Sequence, residues 1–187
     1  MMMKQKGIFN FCQKNNYSVL ELPYLLENKE LELSLCVILP KDKDGLNDLE
    51  NTISEDFMND WIGQLSQQNV EVLLPSFTLE NMGDWSQLLS QLGMSEAFSP
   101  TADFSGISQE EHLSLGFFNH NAKLSVDEEG TEASAASSGG FIVTSTGAPA
   151  EKYKLFTADH PFLFYLIEKK SQTILFMGRF LGEESSE

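Results

Sequence analysis

Residues 128–136 read EEGTEASAA and residues 156–166 read FTADHPFLFYL, and these two stretches decide the fold. The segment that begins in the first stretch is built mostly of small side chains, since sixteen of the twenty-one residues from 130 to 150 are Gly, Ala, Ser or Thr. This composition is typical of an exposed loop, and a long loop inside a domain usually carries function. Residues 131–136 contain no proline, so their mostly small side chains are able to enter a sheet.

The chain on either side of this loop has the pattern of strands. Residues 112–127 are predicted to form one long strand, because Phe117, Phe118, Leu124 and Val126 favour extended structure. After the loop, residues 162–167 and 174–180 are strongly apolar and are joined by the polar residues 169–172, which predicts a hairpin.

The first half of the chain mixes strands and helices. Residues 19–24 and 31–39 alternate in polarity and predict a hairpin, and residues 70–77 predict a further strand. A single apolar helical face is predicted from spacings of three and four at Leu46, Leu49, Ile53, Phe57, Trp61 and Leu65. Ser54 is placed to cap a helix within it. A later helix is predicted from Trp85 to Leu92, capped by Asp84 and ended by Gly93. The fold class is therefore mixed α+β.

Composition excludes several classes of partner. A chain of 187 residues with 28 acidic and 12 basic side chains carries a net charge of −16. Binding to a nucleic-acid backbone needs clustered Lys and Arg, and anionic membranes attract basic segments, so we expect neither partner. No apolar run reaches the length of a membrane-spanning helix, and residues 1–6 lack the apolar stretch of a signal peptide.

Side chains that carry catalysis or bind metals are few and scattered. His112, His120 and His160 show no metal-ligand spacing, and the pair Cys12 and Cys36 is predicted to be buried and unbridged. No nucleophile elbow or phosphate-binding loop occurs in the sequence. We therefore expect no enzyme, no metal site and no cofactor.

The quoted stretches resemble the serpins, a family of protease inhibitors. Residues 128–136 are similar to the serpin hinge, and residues 156–166 are similar to the family signature at every position. Further similar segments follow the family's order and cover almost the whole chain; they are residues 19–24, 38–40, 92–94, 102–106 and 175–179. The resemblance implies the C-terminal half of a serpin, with antiparallel sheets, a few helices and an exposed reactive-centre loop at residues 130–150.

In this family, a serine protease attacks the loop and forms an acyl-enzyme, and the cleaved loop then inserts into a large sheet. The resemblance assigns the hinge to Glu128, Glu129, Gly130, Thr131, Glu132, Ala133, Ser134, Ala135 and Ala136. Alternate residues of an inserted strand point inward, and those would be Thr131, Ala133, Ala135, Ser137 and Gly139. All five are small, which favours an inhibitory loop over a plain bait for proteolysis, although Gly139 and Gly140 lower the strand propensity.

The resemblance also sets three expectations about individual residues. His120 aligns with a histidine beneath the large sheet that holds its strands closed, and an ordinary buried histidine is the alternative. His160 is expected to be structural. Glu128 lacks the basic partner found in many serpins, since Ser76 follows Leu74 and Pro75 at that place.

The usual loop length places the scissile bond at Thr144–Ser145, with Val143–Thr144 and Gly147–Ala148 as the alternatives. A Thr before the bond suits an elastase-like serine protease. A complete serpin is about twice this length, so the expectation is a partial domain over residues 1–187 that lacks the strand beside residues 112–127. We expect that this chain alone is cleaved as a substrate and self-associates through the exposed sheet edge. The alternatives are a non-inhibitory interaction module and an inactive fragment.

The location is expected to be extracellular, with the cytoplasm as the alternative. Asn16-Tyr17-Ser18 is a glycosylation sequon if the chain is secreted.

Overall fold

The computed structural model describes residues 1–24, 30–109, 112–127 and 152–182, and omits the side chains of residues 55, 56, 58 and 59. These residues fall into two compact units, one formed by Met1–Phe77 with Val126–Glu187 and the other by Thr78–Ser125. The expectation of one partial domain over residues 1–187 stays a prediction.

Strands dominate both units. The strands are β1 (Met2–Gln13), β2 (Tyr17–Pro23), β3 (Leu33–Pro40), β4 (Ser66–Pro75), β5 (Phe77–Asp84), β6 (Asn119–Val126), β7 (Lys154–Thr157), β8 (Phe162–Glu168) and β9 (Thr173–Phe180). The helices are α1 (Leu46–Glu50), α2 (Glu55–Ile62) and α3 (Ser86–Leu89), and α3 continues as a π-helical turn (Ser90–Met94) and a 3₁₀ turn (Ser95–Phe98). The mixed α+β class is confirmed.

The first unit contains a sheet of seven described strands in the order β7-β4-β1-β2-β3-β8-β9. The predicted hairpins are confirmed: β2 pairs antiparallel with β3, and β8 pairs antiparallel with β9. The other described pairs of this sheet are antiparallel, and β7 pairs with β4 in parallel. A parallel pair needs a long connection between its strands, and the chain between Pro75 and Lys154 supplies it.

The long strand β1 was not predicted from the sequence. Its first half is rich in Lys and Gln, and its partner β4 lies more than fifty residues later, from Met2↔Pro75 to Phe11↔Ser66. β1 also forms a hairpin with β2 through residues 14–16, so a local turn signal exists and the sequence analysis missed it, whereas the pairing with β4 has none. The predicted strand over residues 70–77 is in turn divided by Ser76 into β4 and β5.

The helices α1 and α2 cover one face of this sheet. The predicted apolar face is confirmed at Leu46, Leu49, Phe57 and the fully buried Trp61, which pack with Cys12, Val19, Cys36, Ile38, Leu163, Tyr165 and Ile167. The face is broken at Ile53, which is 40% exposed, because the chain turns between the two helices. Ser54 caps α2 as expected, since its hydroxyl accepts a hydrogen bond of 3.1 Å from the backbone N–H of Phe57.

Aromatic side chains form the core on the opposite face. The ring of Phe77 lies 5.0–5.9 Å, between centroids, from the rings of Phe162, Phe164 and Phe180. Every residue of β8 is buried, since one set of its side chains faces the helices and the other faces these rings. The edge strand β9 is mostly exposed, including the apolar residues 174–177.

The second unit contains β5, β6 and the helical turns between them. Gly93 has a φ of +106°, so the predicted left-handed end of the helix is confirmed, although α3 itself ends earlier, at Leu89. The expected strand over residues 112–127 is shortened to β6. Residues 112–118 are not a strand; Leu115 instead donates its N–H to the carbonyl of Ala97 at 2.9 Å, and Phe117 is 66% exposed.

Gly178 tests the aromatic core. A Cβ atom at Gly178 would lie 2.6 Å from the Cζ atom of Phe164, which is almost fully buried. Gly178→Ala is therefore expected to lower the free energy of unfolding by about 1–3 kcal/mol through overpacking. Urea denaturation measures the change. Phe164→Leu removes the clashing atom, so in the double mutant the Gly178→Ala substitution should cost less than it costs alone; equal costs would contradict the clash.

Glu168 predicts a pH dependence of stability. The hydroxyl and backbone N–H of Ser171, with the backbone N–H groups of Glu32 and Lys170, lower the pKa of this carboxyl to about 2. Because the folded pKa lies below the ordinary value of 4.5, the carboxylate stabilises the fold above pH 4.5, and this contribution is lost as the pH falls towards 2.

Glu168→Gln should therefore lower stability at pH 7, and the difference from the unmutated chain should shrink steadily between pH 4.5 and 2. Urea titrations at several pH values measure it. Glu32→Gln is the matched control, because it removes the same charge from an exposed side chain beside the same turn. An unchanged difference at all pH values would show that the charge of Glu168 is not responsible.

Candidate functional site

The candidate site is the segment between β6 and β7, which the sequence predicts to be a loop and which is called the loop below. All the hinge residues, Glu128 to Ala136, and both residues of the expected scissile bond, Thr144 and Ser145, lie outside the described residues. The structure does describe both ends of the loop, which are Val126 at the end of β6 and Lys154 at the start of β7. Val126 and Lys154 are therefore the two anchors of the loop, and their surroundings differ.

The first anchor belongs to a two-stranded sheet. β5 and β6 run antiparallel, since Thr78 meets Ser125 through their hydroxyls at 3.0 Å and Trp85 donates its N–H to the carbonyl of Phe118 at 2.7 Å. Lys123 and Glu80 form an ion pair between the same strands. Among the described residues, β6 pairs with no strand other than β5. Its second edge thus has no strand partner in the part of the chain that the structure describes.

His120 lies on β6 and is half-buried. Its ring packs against the ring of Trp85, with 4.3 Å between the centroids and a tilt of 39°. Trp85 stands just before α3, where the carboxylate of Asp84 accepts a hydrogen bond of 2.9 Å from the backbone N–H of Ser86. The hydroxyl and N–H of Ser86 hold the pKa of Asp84 below its usual value. His120 thus joins the strand that precedes the loop to the start of a helix.

The second anchor is held firmly in the seven-stranded sheet. Phe156 on β7 is 1% exposed, and its ring meets the ring of Phe11 edge to face at 6.3 Å. Beyond the strand, Ala158 donates its backbone N–H to the carbonyl of Leu73 at 2.8 Å. The C-terminal end of the loop therefore enters a packed strand and not a free terminus.

Asp159 and His160 connect this anchor to the centre of the sheet. The ring of His160 lies within hydrogen-bond distance of two acceptors, with Nδ1 at 2.7 Å from Oδ1 of Asp159 and Nε2 at 2.8 Å from the carbonyl of Pro40. The bond to His160 lowers the pKa of Asp159, and the Lys43 ammonium at 3.3 Å adds to the effect. The structural role expected of His160 is confirmed by these two partners. The sequence indicated no link between Pro40 and His160, since 120 residues separate them.

Ser76, at the place where many serpins have a basic residue, contacts the backbone of Met1. Its backbone N–H donates to the carbonyl of Met1 at 2.9 Å, and its hydroxyl lies 3.3 Å from the same oxygen. Glu128, whose usual partner in the family would stand here, is outside the described residues.

The cysteines and the possible metal ligands are the remaining candidate residues. Cys12 and Cys36 are free and buried as expected, and burial raises the pKa of Cys36 to about 12, which makes its thiolate scarce. In the part of the chain that the structure describes, no group of three or more His, Cys, Asp or Glu side chains is placed to bind a metal ion. No described helix combines the length and apolar character needed to span a membrane.

Comparisons with known proteins agree with this arrangement. The family model "Serpin (serine protease inhibitor)" matches residues 1–182. The chain is 40% identical over 182 residues to Serpin B10 of Homo sapiens, covering 96% of this chain and 44% of the relative. It is 37% identical over 192 residues to Neuroserpin of Gallus gallus, covering 98% and 45%. It is also similar to the crystal structure of uncleaved ovalbumin at 1.95 Å, with a TM-score of 0.79 and 26% identity over 97% of this chain and 44% of that one. The chain thus spans less than half the length of these proteins.

Substitution of His120 tests its place beside Trp85. His120→Ala removes the ring contact, and packed aromatic rings contribute roughly 0.5–1.5 kcal/mol beyond their buried area. Amide hydrogen exchange in residues 119–126 should therefore accelerate by several-fold. His120→Phe keeps a ring of similar size, so its exchange should stay close to that of the unmutated chain. If His120→Phe exchanges as fast as His120→Ala, the ring contact is not what holds the strand.

Proposed function

Since this chain belongs to the serpin family, we propose that it carries the reactive-centre loop of a serine protease inhibitor, in which the loop is the bait for the protease. The observation that carries the proposal is the placement of the loop's ends. Its N-terminal end leaves β6, which has a free edge among the described residues, and its C-terminal end enters the packed strand β7. A loop held in this way presents a substrate bond and needs no catalytic group of its own.

The free edge of β6 supports a suicide-substrate mechanism for the complete inhibitor. A sheet edge carries unpaired N–H and C=O groups, and a strand that joins it satisfies them. The segment that follows β6 has small residues at the five alternate positions from Thr131 to Gly139. Insertion of that segment after cleavage would bury no bulky or charged inward side chain, whose burial would be costly.

The target is proposed to be an elastase-like serine protease. The proposed bond is Thr144–Ser145, where Thr precedes the bond and Phe141, Ile142 and Val143 precede Thr. A shallow specificity pocket accepts Thr, whereas a trypsin-like protease needs Lys or Arg, and the loop has neither before Lys152.

A second candidate function applies to residues 1–187 acting alone, as a protease substrate and an interaction module. Exposed apolar residues on and beside the strands favour it. β6 has one described neighbour, and Phe117 and Phe118 beside it are exposed. On β9, the four consecutive residues Ile174, Leu175, Phe176 and Met177 are 38–69% exposed. Such edges recruit another strand. We propose that this polypeptide alone is cleaved without trapping the protease and self-associates as its concentration rises.

We propose an extracellular location, with the cytoplasm as the alternative. Asn16, the first residue of the glycosylation sequon, lies in the exposed turn between β1 and β2. Recovery of the chain from a eukaryotic host with a glycan on Asn16 would support secretion, and its recovery unmodified from the cytoplasm would support the alternative.

Digestion with pancreatic elastase tests the proposed bait. We expect the first cleavage at Thr144–Ser145 by mass spectrometry, and a first cleavage outside residues 141–149 would contradict the assignment. Thr144→Arg is the matched variant: it should slow elastase at this bond by at least about tenfold and open the bond to trypsin. On a denaturing gel, residues 1–187 should yield two fragments and free protease. A covalent band at near one-to-one stoichiometry would show that this chain alone traps the protease.

A further inference from the structure

A basic groove lies at one end of the seven-stranded sheet. Three parts of the chain form it: the turn between β1 and β2, the residues that follow β3, and the segment from β7 to His160. It is open to solvent and has a volume of about 910 Å³. Its principal side chains are Lys14, Asn16, Tyr17, Lys41, Lys154 and His160.

The charge of the groove is opposite to that of the chain. The net charge of the whole sequence is −16, yet no described Asp or Glu lines the groove. One of its cations is held from outside the groove, since the ammonium of Lys14 pairs with Asp60 at 2.7 Å. Lys154 instead has its ammonium 5.3 Å from the centre of the Phe11 ring, and Lys41 makes no side-chain bond to any described residue. Lys41 and Lys154 are therefore the cations left to meet a ligand.

Hydrogen bonds hold the walls of the groove together. Lys14 donates its backbone N–H to the carbonyl of Tyr17 at 2.8 Å, and Lys41 donates its own to the carbonyl of Asn16 at 2.8 Å. On the other side, Nε2 of His160 donates to the carbonyl of Pro40 at 2.8 Å. Because these bonds fix the backbone before any partner arrives, little conformational entropy is lost on binding.

We propose that this groove binds an acidic polypeptide segment on the surface of the protease that attacks the loop, which rests on the function proposed above. The lining combines cations with apolar and amide groups, including Leu155, which is 66% exposed, and Asn16. A peptide with carboxylates around an apolar residue matches this mixture. An extended polyanion does not, because it needs a longer row of cations and is repelled by the acidic remainder of the chain.

The position of the groove brings it within reach of a protease at the loop. Lys154 is nine residues after Ser145, and nine extended residues span at most about 30 Å. A protein held at the bond is therefore no more than about 30 Å from Lys154, and complementary charges outside the bond raise the association rate.

Binding of a labelled peptide tests the groove directly. The chain is made in bacteria so that Asn16 carries no glycan, and fluorescence anisotropy follows a fluorescein-labelled peptide of sequence Glu-Leu-Glu-Glu-Leu-Glu. We expect binding that weakens with salt, and we expect Lys41→Glu and Lys154→Glu each to weaken it by roughly fivefold or more. Lys123→Glu, which makes the same charge change in the other unit, and the neutral peptide Gln-Leu-Gln-Gln-Leu-Gln are the controls. Equal effects of all three substitutions, or equal binding of both peptides, would overturn the proposal.

Two further arms separate the possible causes of failure. If a heparin oligosaccharide binds more tightly than the peptide and loses affinity in the same two variants, the groove is a polyanion site and the proposal is wrong. If elastase cleaves Thr144–Ser145 but no peptide binds, the groove proposal fails while the proposed function stands. If the peptide binds as expected but elastase first cuts elsewhere, the peptide-binding groove stands while the function assigned to the loop fails.

Discussion

The pairing of β3 with β8 is the interaction on which the rest of the structure depends. Six residue pairs join these strands, from Leu33↔Glu168 to Ile38↔Leu163, and every residue of β8 is buried. The strands come from opposite ends of the sequence, so their pairing brings the last forty residues to the hairpin of β2 and β3. Helices α1 and α2 cover one face of this seam, and the rings around Phe77 cover the other.

The same seam positions the C-terminal end of the loop. Pro40, the last residue of β3, accepts the hydrogen bond from His160, and His160 comes just before β8. Asp159 and Ala158 follow directly from β7, so the anchor of the loop and the centre of the sheet are tied by consecutive residues. The family signature at residues 156–166 therefore has a physical reason, since it runs from the loop's anchor into the most buried strand. The N-terminal end of the loop leaves a strand with a single described neighbour, and this contrast between the two ends is what an inserting loop requires.

Sequence reasoning succeeded where the signal is local. The hairpins, the apolar face of α1 and α2, the cap at Ser54 and the left-handed Gly93 are each determined by residues within a few positions of one another. It missed β1, although residues 14–16 form a local turn between β1 and β2, and it missed the parallel pair of β4 with β7, which are distant in sequence. It also extended β6 through residues 112–118, because Phe117 and Phe118 favour a strand by propensity alone, whereas both are exposed. The loop stays a prediction from composition and from resemblance to a family, since residues 128–151 lie outside those that the structure describes. The groove escaped notice because its lysines are dispersed in sequence.

The central claim is that residues 1–187 alone bear the loop without storing the free energy that drives its insertion. Thermal unfolding of the intact chain and of the same chain cleaved at Thr144–Ser145 tests this claim most directly, because a newly formed central strand would raise stability. The account predicts midpoints within a few degrees of each other, since the free edge of β6 has no opposite strand among the described residues to complete a site for the loop. A cleaved chain that unfolds more than about 15 °C above the intact one would show that the loop inserts, and would contradict the account.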